Sequence, residues 1–333
     1  MITRVRLAFN SCILAITCAT LGGCRDAHSV LAPRSDHAEQ IEILAWILFI
    51  GGTMILLIVI AIATAALLGP IRIRRVLQSE AFVLLSGLAF PIIVLTCLLA
   101  YGTAVTGAGP SSNDSGPLEV TVIGERWWWR VIYHQKEGGP IEAANELRIP
   151  TGRSVKVALK SADVIHSFWV PALAGKVDTI PGRTNFITLS ANSPGVFRGL
   201  CAEYCGGAHA LMGFHVVSLD PDDFNKWFAR ERSEAQLAST PSQLRGQNLF
   251  LSKGCGACHT VRGTRAGGTI GPDLTHIGSR QSIAAATLAN NPGSLVNWIR
   301  DNQHIKPGNL MLNFESLATH ELNDIASYLE NLE

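Results

Sequence analysis

The chain has 333 residues, enough for two or three domains, and carries 27 Lys+Arg against 26 Asp+Glu for a formal charge of +1. So balanced a total gives no general field for nucleic acid, and none is expected as a partner. Charged residues make up 16% of the chain, below the roughly 25% of ordinary globular proteins, and only 12 of them fall within residues 1–110. An apolar N-terminal third joined to a polar remainder excludes an ordinary cytosolic enzyme.

Residues 1–23 have the layout of a secretory signal, with Arg4 and Arg6 ahead of a short apolar core from Ser11 to Leu21. Leu21-Gly22-Gly23-Cys24 looks like a bacterial lipoprotein cleavage site, which would leave Cys24 as a lipidated first residue. The plainer alternative is an uncleaved signal anchor. Two charge-free stretches follow, 43–71 and 81–113, each longer than the roughly 20 residues that cross a bilayer as helix. They predict a transmembrane hairpin within 24–110, with spans near 43–68 and 81–103. Pro91 predicts a kink in the second span. The connector holds Arg72, Arg74 and Arg75 against Glu80, so it belongs on the cytoplasmic side, and everything after about residue 105 lies outside.

Gly107 to Pro117 is rich in turn formers and reads as a linker. From Leu118 the texture changes to short β-type runs: LEVTVIG, WWWRVIYH, ELRIP, SVKVALK, NFITLS and GFHVVSL. These predict a Greek-key β-sandwich over 117–232, ending in a helix from Asp222 to Arg232. A second linker, Ser233 to Pro241, leads into a small all-α domain over 241–333, with helical periodicity at 242–252, 294–302 and 320–332. Residues 117–232 hold 13 basic and 12 acidic groups, and residues 241–333 hold 7 of each. Neither domain has the one-signed bias that strong long-range steering needs.

Of eight cysteines, Cys12 and Cys18 would leave with the signal and Cys97 is a small apolar residue in a span. Besides Cys24, four remain outside in two close pairs, for which local disulfides are the plain reading in an oxidising compartment. The neighbours point elsewhere. Cys201-Ala-Glu-Tyr-Cys205-Gly-Gly-Ala-His209-Ala-Leu-Met212 gathers two thiols, an imidazole and a thioether, and Asp163-Val-Ile-His166 adds a second imidazole beside a β-run. Soft sulfur with imidazole selects copper, while zinc has little use for a methionine. A mononuclear blue-copper site needs one cysteine. The second thiolate points to two bridged coppers that share an electron with little change in bond length.

The run Cys255-Gly-Ala-Cys258-His259, outside the cytoplasm, reads as covalent c-type haem attachment with His259 as proximal ligand. A thioredoxin-like reading lacks its βαβ surroundings, and a zinc ribbon lacks a second cysteine pair. Among four methionines, Met311 alone lies in the helical domain, in Ile305-Lys-Pro-Gly-Asn-Leu-Met311, and is the expected sixth ligand. His276 and His304 are alternatives, more simply read as surface histidines. His28, His37, His134, His215 and His320 lack partner spacing and are left structural.

At these residues the chain resembles subunit II of the haem–copper cytochrome c oxidases over roughly residues 35–232, and its C-terminal part makes it similar to the caa-type, in which subunit II ends in a cytochrome c. The resemblance implies a cupredoxin-like β-sandwich and an all-α class I cytochrome c domain. It implies a dinuclear CuA centre held by the side chains of His166, Cys201, Cys205, His209 and Met212 and the backbone carbonyl of Glu203. The Glu203 carboxylate then faces a magnesium ion shared with subunit I, and Asp163 is a hydrogen-bonding neighbour rather than a ligand. Trp127, first of Trp127-Trp128-Trp129, matches the position that receives electrons, and strand alternation would put Trp127 and Trp129 on one face. Arg126 stands where the family usually has Gln. Gly271-Pro272-Asp-Leu resembles the loop whose proline carbonyl orients the proximal histidine.

The implied function is electron transfer. A cytochrome c or other periplasmic donor reduces the haem, and the copper pair passes electrons to subunit I for oxygen reduction and proton pumping. Subunit III is a further expected partner, and the implied place is the bacterial inner membrane with both exterior domains on the periplasmic side. No residue here resembles an oxygen-reducing site, so no catalytic residue is assigned. The same modules would also suit the small subunit of a copper-containing nitric oxide reductase, or a copper-binding lipoprotein without turnover.

Overall fold

In the computed structural model, residues 28–107, 118–135 and 139–333 are described; the signal, Cys24 and nearly all of the first linker lie outside them. The chain divides into two units, Asp36–Ser111 and a second that takes in Ser112–Glu333 and the residues before Asp36.

The first unit contains α1 (Asp36–Leu68), α2 (Ile71–Leu77), α3 (Glu80–Leu84), a π-helical turn (Leu85–Ala89) and α4 (Phe90–Gly107). Helix α1 begins ahead of the expected span because Asp36 and Glu39 fall in its first turn, where the helix dipole favours acids. Asp36–Leu68 and Glu80–Val105 are both long and apolar enough to cross a membrane. Their large side chains face outward, with Phe49 75% and Leu68 84% exposed, a surface that lipid accommodates and water does not. Thr53 and Thr64 return their hydroxyl protons to the carbonyls of Phe49 and Ile60, so neither leaves a bare donor there. Just before the proline the helix widens into a π-type turn. The Phe90 N–H bonds the Leu85 carbonyl, and this broad turn makes room for the Pro91 ring, which lacks an N–H. The basic connector is itself helical, and Arg74 reaches back to the carbonyls of Ala66 and Leu67 at 2.9 and 3.3 Å, capping α1.

Among its described residues, the second unit contains ten strands ahead of its helical part: β1 (Glu119–Glu125), β2 (Trp128–His134), β3 (Ile141–Ala144), β4 (Glu146–Pro150), β5 (Val155–Ser161), β6 (His166–Trp169), β7 (Val177–Thr179), β8 (Asn185–Leu189), β9 (Gly195–Cys201) and β10 (Gly213–Leu219). They form two five-stranded sheets, β3-β2-β1-β5-β8 and β4-β10-β9-β6-β7. β1 runs parallel to β5 and β10 parallel to β4; the other pairs are antiparallel. Alternation builds the core. On β5, Val155, Val157 and Leu159 are buried while Lys156 and Lys160 face out. Strands β3, β6 and β7 are too short to show such a pattern in sequence, and two glycines dilute it in β9. Helix α5 (Pro221–Glu231) closes the sandwich, with Trp227 edge-on to the buried Tyr133 at 5.4 Å.

The helical part comprises α6 (Pro241–Ser252), a minimal hairpin of β11 (Ser282–Ile283) and β12 (Leu288–Ala289), α7 (Pro292–Arg300), α8 (Asn302–Ile305) and α9 (Thr319–Glu330). Thr240 and Gln243 form a capping box that starts α6. The 233–241 linker is tied down at its start. Arg262 donates to the carbonyls of Glu231 and Ser233, and His276 Nε2 lies 3.2 Å from the Ser233 carbonyl. His276 is therefore not the surface histidine expected. It is 2% exposed, and its Nδ1 is also occupied, 2.9 Å from a Glu333 oxygen, so neither nitrogen is left for iron. His304 is exposed, as expected.

Candidate metal and electron-transfer centre

The strand ends place the sulfur and imidazole donors. His166 opens β6, Cys201 closes β9, and Met212 directly precedes β10. β6 and β9 pair with Phe168 opposite Cys201. The Cys201 N–H donates to the Met212 carbonyl at 3.0 Å, which closes the base of the loop that carries Cys205 and His209. Residues 46 positions apart in the chain thus meet through ladder hydrogen bonds.

The donor atoms converge. The Sγ atoms of Cys201 and Cys205 are 3.8 Å apart, both thiols are free, and no disulfide joins them. His166 Nδ1 lies 3.9 Å from Cys201 Sγ, and His209 Nδ1 lies 3.5 Å from Cys205 Sγ. Met212 Sδ is 3.8 Å from Cys205 Sγ, and the Glu203 carbonyl is 3.2 Å from Cys201 Sγ. Two sulfurs between two imidazoles, with a thioether and a carbonyl at the flanks, fit a pair of bridged soft metal ions. Asp163 is a neighbour and not a donor to this centre. It accepts from His166 Nε2 at 2.8 Å, which leaves Nδ1 facing the sulfurs.

Charge follows geometry. The proton that Cys205 offers holds Cys201 far below the ordinary thiol range, against the opposing effect of burial. The Cys201 charge and burial push Cys205 upward in turn. Burial disfavours charge on His166, but the sulfur of Cys201 and the carboxylate of Asp163 outweigh it and raise its pKa. The Glu203 carboxylate is 44% exposed and sits 3.8 Å from Lys176 Nζ.

The three tryptophans separate by role. Trp127 lies in the turn between β1 and β2 rather than on a strand, so simple alternation does not govern it. Its Nε1–H donates to the Cys205 carbonyl at 2.9 Å. Trp128 lies under the Arg130 guanidinium. Trp129 is 1% exposed and packs edge-on to His166, Phe168 and Phe214. It backs the copper-type donors as well as filling the core, a role its position in the tryptophan run did not reveal.

In the helical domain, Cys255 to His259 form one tight turn, with the His259 N–H bonded to the Cys255 carbonyl at 3.0 Å and both thiols free. His259 Nδ1–H donates to the Pro272 carbonyl at 2.8 Å, which leaves Nε2 for iron. Burial holds the ring below its ordinary pKa. Gly271 makes this possible, because a Cβ there would come within 2.6 Å of the ring. Met311 packs against the helical core. An amide scaffold shapes its segment. Gln303 Nε2 donates to the carbonyls of Asn309 and Met311 at 2.8 and 3.0 Å, and Asn309 Nδ2 donates to Asn302 Oδ1 at 2.9 Å. Free thiols, an imidazole with only Nδ1 engaged and a thioether on the same core fit a covalent haem. Gly308 of this loop lies against the Trp127 indole, at 3.3 Å from where its Cβ would stand.

Two families match the chain: "Cytochrome C oxidase subunit II, periplasmic domain" over residues 137–219 and "Cytochrome c" over residues 243–333. The chain is 37% identical to cytochrome c oxidase subunit 2 of Alkalihalophilus pseudofirmus over 246 residues, covering 72% of this chain and 70% of the relative. It is 32% identical to the same subunit of Bacillus subtilis, covering 74% of this chain and 70% of the relative. Among solved structures, the periplasmic domain of cytochrome oxidase subunit II of Bradyrhizobium japonicum is 30% identical, with a TM-score of 0.33, covering 35% of this chain and 94% of that one.

Proposed function

This chain belongs to the cytochrome c oxidase subunit II family, with a cytochrome c domain fused at its C-terminus, and from that premise we propose how its own residues carry electrons. It is a membrane-anchored subunit of the oxidase complex whose electrons go to subunit I. A copper pair on His166, Cys201, Cys205, His209, Met212 and the Glu203 carbonyl, and a haem on Cys255, Cys258, His259 and Met311, supply two one-electron carriers when bound.

The protein's part is positional. Asp163 orients His166 through Nε2, and Pro272 orients His259 through Nδ1; each fixes which nitrogen remains for metal. Trp127 is the connecting residue. One observation carries this reading: its indole bonds the Cys205 carbonyl on one side and lies against Gly308, three residues before Met311, on the other. The Glu203 carboxylate, half-exposed and only loosely paired with Lys176, is available to a magnesium ion whose other ligands come from subunit I. The donor to the haem domain is a periplasmic cytochrome c or a similar one-electron protein, subunit III completes the assembly, and the hairpin sits in the bacterial inner membrane with its connector inside.

The test is Trp127→Phe in the intact oxidase. Both absorption spectra should remain while electron transfer from haem to copper slows ~10-fold or more. Metal analysis of the parent should give two coppers and one covalent haem per chain, with the mixed-valence spin-resonance pattern of a shared electron. A disulfide between Cys201 and Cys205 in the working oxidase, or unaltered transfer in the variant, would overturn the reading.

A further inference from the structure

Beyond the metal motifs, the two exterior domains meet through a contact that no motif announced. Lys306 is 3% exposed. Its Nζ donates to three carbonyls: Trp127 at 2.6 Å, Leu211 at 2.9 Å and Ala284 at 3.4 Å. An ammonium has three protons and no lone pair, so this cage satisfies it. Burial draws its pKa down to about 7, against the opposing attraction of the Cys205 sulfur. Two of these carbonyls flank the centre, since Trp127 bonds Cys205 and Leu211 precedes Met212. The third belongs to the tip of the β11–β12 hairpin.

That tip is conformationally unusual. Ala284, Ala285 and Ala286 have φ of 54, 59 and 57°, the left-handed region that alanine avoids unless surrounding contacts compensate. The contacts are present. Ala285 is 1% exposed, and its carbonyl accepts from the Gly213 N–H at 3.1 Å, just past Met212. Lys306 and the alanine tip therefore grip Leu211 and Gly213 on either side of a proposed copper ligand. At the sheet edge, Gln281 N–H donates to Glu146 at 2.8 Å and Arg148 donates to the Ser279 carbonyl at 2.9 Å, which fixes the hairpin's base.

We propose that Lys306 is a positioning residue for electron transfer between the two domains. Together with the Ala284–Ala286 tip it locks the Met311 loop onto the copper loop in one orientation. The fused domain then works as a fixed donor, not a swinging one, and it covers the Trp127 indole against free cytochromes. Backbone carbonyls hold Lys306 itself, in keeping with two domains that have no opposed net charge. One electron passes from the reduced haem side to the oxidised copper side, and no bond forms or breaks. This rests on the direction of flow proposed above.

The experiment uses the intact oxidase. In Lys306→Met, transfer from photoreduced haem to copper should slow ~10-fold or more and become dependent on solvent viscosity. The haem potential and the copper spin-resonance spectrum should stay as in the parent. In the unmodified oxidase, a water-soluble acetylating reagent should label Lys226, 75% exposed, and leave Lys306 unlabelled by mass spectrometry. Parent-like, viscosity-independent transfer in the variant, or ready acetylation of Lys306 in the parent, overturns the lock; if the variant does not assemble, acetylation decides. Either failure would leave haem-to-copper transfer standing, whereas a wrong direction of flow would show as no copper reduction in the parent itself.

Discussion

The two metal-binding regions are built on opposite plans. At the copper-type centre His166 is 0%, Cys201 3% and Met212 1% exposed, with His209 half-buried, and strand pairing and the Trp129–Phe168–Phe214 cluster hold them. At the haem motif, Cys258 is exposed, and His259 and Met311 are half-buried on a domain with three main helices and long loops. The sandwich prearranges its ligands. The helical domain carries its motif in a turn and loops, where the cofactor is expected to complete the core. A site can thus be organised by the fold, or the fold can be organised by the site.

The sharpest way to break that contrast is to remove each cofactor in turn. Cys255→Ser with Cys258→Ser should abolish cooperative unfolding of residues 241–333, read by circular dichroism and proteolysis. Cys201→Ser with Cys205→Ser should leave the sandwich folded. A helical domain that melts normally without haem would erase the distinction. Next in size is Asp163→Ala. It removes the partner of His166 Nε2 and should weaken copper affinity by about 10–100-fold, measured by competition with a chelator, while secondary structure stays unchanged.

The smallest expected effect lies in the helical scaffold. Arg245, with Ser242, holds the Asp324 carboxyl below its ordinary pKa. Its contribution is fully present above the usual carboxylate value, about 4, and is lost as pH falls through the lowered one. Asp324→Asn should therefore lower the Tm of this domain by about 2–4 °C at pH 7, and parent and variant should converge in acid. A Tm gap that persists at low pH would show that charge is not the cause.

What could be read from the chain beforehand was what is local along it. Cys201 to Met212 and Cys255 to His259 keep their donors within a few residues, and their chemistry follows from residue type and spacing. The apolar spans, the connector arginines and the alternation of β5 were legible for the same reason. Trp127 was misplaced because a turn interrupts the tryptophan run, and His276 was misjudged because its partners, Ser233 and Glu333, are far away in the chain. Ala284-Ala285-Ala286 reads as helix former by composition, yet the fold holds it left-handed.

The sequence by itself therefore determined the parts: a hairpin anchor, a soft-metal loop on a β-framework, and a haem-binding helical domain. Tertiary structure alone decided how the two exterior parts join. The Lys306 cage is assembled from positions 127, 211 and 284, and backbone carbonyls carry no residue identity. Every amino acid offers the same acceptor, so a contact made to the main chain leaves no trace in the letters and exists only once the chain has folded.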